Sequence, residues 1–111
     1  MPIDPAAPAM TTWFISRHPG ALDWARRQGL AVDRWVPHLQ PGDVSPGDTV
    51  AGTLPVQLAA DVCARGARYL HLRVDLPPQD RGRELDADEL ERLGARLEPY
   101  DIIHTPEGAP T

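Results

Sequence analysis

Twice in this chain a short apolar run is followed by a helix-length segment that stops at glycine, and that arrangement limits the fold most. Trp13-Phe14-Ile15 leads through Ser16-Arg17-His18-Pro19-Gly20 into Ala21–Gln28 and Gly29. Thr49-Val50-Ala51-Gly52 leads through Thr53-Leu54-Pro55 into a segment that ends at Gly66. Runs of four or five residues are too short for helices, and apolar residues at successive positions imply burial on both faces of a sheet, as in parallel strands. Glycine past a helical segment takes the left-handed turn that stops it. Two such units in one small chain imply a parallel sheet.

The remaining elements fit the same scheme. Val32 to Leu39 reads as a second strand, demoted to an edge by Pro37. Residues 40–48 carry two Pro-Gly pairs and read as a loop. In the second helix Val56, Ala59, Ala60 and Cys63 share a face, with Thr53 or Leu54 at its cap. Arg68 to Leu76 alternates, with Leu70, Leu72, Val74 and Leu76 on one face and Tyr69, His71, Arg73 and Asp75 on the other. Asp86-Ala87-Asp88-Glu89 is a capping box, with Leu85 and Leu90 placed as a hydrophobic staple. That third helix is expected to run to about Leu97 and give way at Pro99, with Tyr100 to His104 as a last strand. The order β-α-β-β-α-β-α-β implies a single α/β domain over residues 10–105: a small, mostly parallel, Rossmann-like sheet flanked by helices on both faces. Residues 1–9 read as a disordered Pro/Ala-rich lead and 106–111 as a flexible tail.

Charge and composition narrow the partners. The formal charge of -5 argues against a long nucleic-acid duplex, which needs broad phosphate neutralisation. A small anion needs only a local cluster of cations, and all eleven basic residues are arginine, the better phosphate fork. Cys63 stands alone, and His18, His38, His71 and His104 show no metal-ligand spacing, so neither a metal nor a cofactor is expected. No apolar run approaches the roughly 20 residues of a membrane helix, and the start lacks the features of a secretory signal. The expectation is a cytoplasmic protein with no membrane partner.

Chemistry concentrates in Ser16-Arg17-His18-Pro19-Gly20. A strand that ends in a hydroxyl, a guanidinium and an imidazole before a helix start has the layout of a phosphate site. In a parallel sheet ligands bind beyond the carboxyl ends of the strands. There the loop Ser16–Gly20 should meet Gly52-Thr53-Leu54-Pro55 and the polar loop Pro77–Glu84, which carries Arg81 and Arg83. Gly52 and Gly82 would let the backbone approach the ligand. Ser16, Arg17 and His18 are the expected catalytic groups; Pro19, Gly20, Gly52, Thr53, Leu54, Pro55, Arg81 and Arg83 are the expected ligand contacts. His71 and Arg73 read as strand-face residues, His38 and His104 as surface, Cys63 as packing, and Trp13, Trp24 and Trp35 as core or interface.

The stretch Thr11 to Gly20, with Trp24-Ala25, Gly52-Thr53-Leu54-Pro55, Ala64-Arg65-Gly66-Ala67 and Tyr69-Leu70-His71-Leu72, resembles a small ancillary family of type III CRISPR loci. The likeness runs from about Met10 to Leu97. It implies a compact relative of the Rossmann-like domains that bind cyclic oligoadenylates. It also implies that family's proposed activity, a ring nuclease that cleaves the cyclic messenger and switches off the antiviral response. A cyclic tetra-adenylate is a two-fold symmetric tetra-anion, which a C2 homodimer would match. Cleavage needs no metal if a ribose 2′-hydroxyl attacks its own phosphate. Three other readings share these residues. A non-catalytic sensor or sponge would bind the ring without turnover, and a structural adaptor would dock on the effector. A histidine-phosphatase-like phosphomonoesterase would use His18 as nucleophile, although Pro19 interrupts that family's Arg-His-Gly.

Overall fold

The computed structural model describes residues 10–105, so the readings of 1–9 as a disordered lead and of 106–111 as a tail fall outside the described residues. The chain forms β1 (Thr12–Ile15), α1 (Pro19–Arg27), β2 (Arg34–Val36), β3 (Thr49–Gly52), α2 (Val56–Ala64), β4 (Arg68–Arg73), α3 (Ala87–Arg92) and β5 (Arg96–Tyr100), with single 3-10 turns at Pro41–Asp43 and Pro78–Asp80. This element order is the expected one. The five strands form one sheet in the order β2-β1-β3-β4-β5, parallel from β2 to β4, with β5 antiparallel to β4. It is a small single-domain α/β protein with a mostly parallel sheet.

Both faces of the sheet are covered, as strands apolar at successive positions require. On one face Phe14, Ala51 and Leu70 meet Ala21, Leu22, Trp24 and Ala25 of α1 and Ala87 and Leu90 of α3. On the other, Trp13, Ile15, Val50 and Tyr69 meet Ala59 and Val62 of α2, with Leu39 and Val44 from the β2–β3 connection. Trp13 and Trp24 are core residues, whereas Trp35 on edge strand β2 is 43 % exposed. Cys63 packs at the border of the second cluster.

Several boundaries move for identifiable reasons. Helix α1 begins at Pro19, a position suited to proline because its missing N–H has no helical partner there. The capping box closes α3 as expected, Asp86 accepting from the Glu89 N–H and Glu89 from the Asp86 N–H. That helix ends at Arg92 rather than near Leu97, because Gly94 turns the chain and residues 96–100 become β5. Pro99 therefore lies inside the last strand, which starts four residues before the expected Tyr100; as an edge strand it tolerates the missing donor. Strand β4 stops at Arg73 instead of Leu76, where its ladder with Arg96 of β5 ends. Strand β2 keeps only Arg34–Val36. Pro55, not Thr53 or Leu54, caps α2, and Val56 is exposed rather than on the buried face.

One buried charge ties the edges of the site-bearing strands together. The Asp48 carboxylate, 3 % exposed, accepts from the backbone N–H groups of Thr11 (2.9 Å) and Ser45 (2.9 Å) and from Trp13 Nε1 (3.2 Å). Burial alone would raise its pKa, but the three donors prevail and hold it below the ordinary aspartate value. A carboxyl with a depressed folded-state pKa adds stability above its unfolded value of about 3.9, which is lost as pH falls through the folded value. The urea midpoint should therefore drop as pH falls from about 5 to about 3, with a shallower drop in Asp48→Asn. Equal slopes for the two proteins would remove Asp48 as the cause.

Candidate functional site

From β1 the chain turns to β2 on one side, and it returns to β3 on the other, so the strand order reverses between β1 and β3. Loops leaving the carboxyl ends of two such strands diverge and leave a crevice between them. A cleft of about 750 Å³ opens at that edge. Its polar lining comes from Ser16, Arg17 and His18 after β1, His38 after β2, Thr53 after β3 and Arg83 before α3. Leu72, Val74, Leu76, Leu85 and Leu90 make an apolar wall.

The loop after β1 is held on three sides. The Ser16 N–H donates to Val36 O (3.1 Å), and Trp35 Nε1 donates to Ser16 O (2.8 Å). The Ser16 hydroxyl accepts from the His18 N–H (3.0 Å), which leaves its own proton free to donate. His18 is the N-cap of α1, yet its side chain does not cap the helix; Nδ1 lies 3.7 Å from Glu84 Oε1, and both side chains are exposed.

The two arginines of the cleft differ in how their charge is used. Arg83 donates to Asp80 (3.1 Å) and pairs with Glu89, so two carboxylates already neutralise it. Arg17 enters none of the ion pairs of the described residues, and its Nη2 instead donates to His38 Nε2 at 3.3 Å. An exposed guanidinium without a counter-charge is the group to which an incoming anion would go.

The loop after β3 is committed to the fold more than its sequence implies. Gly52 has φ +137°, and a Cβ there would meet the Ile15 carbonyl oxygen, so this glycine serves the approach of β3 to β1. The Tyr69 hydroxyl beneath it accepts from the Leu54 N–H (3.1 Å) and lies 3.3 Å from Gly52 O and 2.7 Å from His71 Nδ1. Burial raises the Tyr69 pKa, which keeps the hydroxyl protonated and able to donate. The Leu54 N–H is therefore already used, and what this loop turns toward the cleft is Thr53, the Leu54 side chain and Pro55.

Of the expected site residues, Ser16, Arg17, His18, Thr53, Leu54, Pro55 and Arg83 line one cleft, drawn from all three expected loops. Pro19, Gly20, Gly52 and Arg81 do not line it. Gly20 lies instead against the chain that enters α3, where a Cβ would meet Leu85 O and stand 2.8 Å from Asp86 Cα. The expectation missed His38 and the leucine wall. Only the pairing of β2 with β1, which sets Val36 beside Ile15, brings His38 next to Arg17.

Residues 13–103 match the family described as "Putative CRISPR-associated protein (Cas_VVA1548)". No match was found among the curated proteins or among the solved structures. No helix among the described residues is long and apolar enough to cross a membrane. The family match covers both faces of the sheet and every residue that lines the cleft, and the chain belongs to this family of CRISPR-associated proteins.

Proposed function

We propose that this protein is a metal-independent ring nuclease of type III CRISPR signalling that opens cyclic oligoadenylate, with cyclic tetra-adenylate as its first substrate. The observation that carries this reading is Arg17, a cation without a counter-charge among the described residues, set beside the His38 imidazole in a cleft with a leucine wall. A phosphodiester supplies the anion, and an adenine supplies the flat apolar face that Leu72, Val74 and Leu76 would cover. Ser16 and Thr53 are hydroxyls suited to phosphate or ribose oxygens.

In the reaction the ribose 2′-oxygen bonds to phosphorus as the bond to O5′ breaks, leaving a 2′,3′-cyclic phosphate and a 5′-hydroxyl. Arg17 would stabilise the charge that grows on the phosphoryl oxygens, and the cleft would hold the 2′-oxygen in line. His18 would transfer a proton. The partner is the cyclic messenger, and a homodimer would present this cleft once to each half of a two-fold symmetric ring.

Incubating the pure protein with cyclic tri-, tetra- and hexa-adenylate, with and without EDTA, tests the reading. Linear products that form equally well in EDTA are expected, with the tetra-adenylate opened fastest. Intact rings in every tube overturn it. Tight binding of an intact ring would assign the protein to the sensors instead.

A further inference from the structure

We propose that His38 is the general base of ring opening and His18 its general acid, a division of labour that rests on the nuclease reading above. A guanidinium offers only N–H groups, so the 3.3 Å contact between Arg17 Nη2 and His38 Nε2 requires Nε2 to accept. In that contact the lone pair of His38 Nε2 is directed at the arginine. His18 is arranged the other way. Its Nδ1 faces Glu84 Oε1 at 3.7 Å, a carboxylate with which the ring pairs only when it carries a proton on that nitrogen. The two imidazoles therefore stand in different surroundings, His38 with a lone pair turned to a cation and His18 with an N–H turned to a carboxylate, and we assign the base to the first and the acid to the second.

Position supports the assignment. His38 follows β2 directly, between Val36 in the ladder and Leu39 in the core, so its backbone is fixed at both sides while its side chain stays exposed at the cleft. Arg17 connects the two roles. When its fork turns from Nε2 to a phosphate, the lone pair it held is released beside the ribose that carries the attacking hydroxyl. Arg83, which also lines the cleft, is already paired with Asp80 and Glu89, and Glu84 faces His18 from the same loop.

The step balances without a further reactant. His38 Nε2 takes the 2′-hydroxyl proton, the 2′-oxygen bonds to phosphorus, the P–O5′ bond breaks, and His18 gives its proton to O5′. Proton exchange with water then restores both rings.

Cyclic tetra-adenylate turnover by H38A and H18A tests the division. H38A should open the ring about 10²–10⁴-fold more slowly than wild type while still binding it. A ring with sulfur in place of the scissile O5′ has a leaving group that needs no proton, so it should restore H18A and leave H38A slow. H38A turnover at the wild-type rate, or its rescue by the sulfur ring, overturns the assignment and leaves the nuclease reading in place. Wild-type protein that opens no ring overturns both.

Discussion

Arg17→Ala is expected to slow opening of cyclic tetra-adenylate by about 10²–10³-fold, the usual loss when one donor to the developing charge is removed. The expectation follows from the unequal surroundings of the two cleft arginines. Arg17 meets no carboxylate among the described residues, so its charge is available to a phosphate. Arg83 must first leave Asp80 and Glu89, so Arg83→Ala should change the rate far less. Arg17→Lys separates charge from geometry, because lysine keeps the cation and loses the planar fork. A lysine variant between alanine and wild type fits a forked contact. Because Arg17 is exposed and carries no core packing, the thermal midpoint of the alanine variant should match wild type. Turnover near the wild-type rate in Arg17→Ala would remove Arg17 from the chemistry.

Trp24→Ala should have the largest effect on stability. Its indole is 1 % exposed and is the main contribution of α1 to the layer formed with Phe14, Ala51, Leu70 and α3. Truncating a fully buried tryptophan costs about 3–5 kcal/mol, the lost transfer energy plus an unfilled cavity. A small domain holds about 5–15 kcal/mol in total, so the variant should sit at the edge of folding. Urea denaturation followed by far-ultraviolet circular dichroism reads this directly. A loss below about 1 kcal/mol would show that α1 can collapse onto the sheet without its tryptophan.

Much of this was legible because the signals were local. Pro19 and Gly29 bracket α1, the box from Asp86 to Glu89 starts α3, and the apolar run at Trp13-Phe14-Ile15 marks a strand covered on both faces. The end of β4 was not legible. The alternation of Leu70, Leu72, Val74 and Leu76 reports a face, whereas strand length depends on partners, and β3 contributes none beyond Gly52 opposite His71. Leu93 and Leu97 have helical spacing, yet Gly94 between them ends the helix and places Leu97 in β5 opposite Leu72. The same distinction separates the site residues. Arg17 and His18 were visible as a strand-end motif, while His38 becomes a neighbour only through the register of β2 on β1. The commitment of the Leu54 N–H to Tyr69 depends on the register of β4 on β3.

The contact of Gly20 with Leu85 and Asp86 has a consequence for the cleft itself. There the first turn of α1 rests on the chain that enters α3, backbone against backbone, with no side chain between them. Ser16–His18 and Arg83–Leu85 are thereby parts of one wall, and its gauge is set by a hydrogen atom rather than by packing that can rearrange. Side-chain changes along the wall alter what the cleft attracts. A single methyl at position 20 would act as a wedge and change what the cleft can admit.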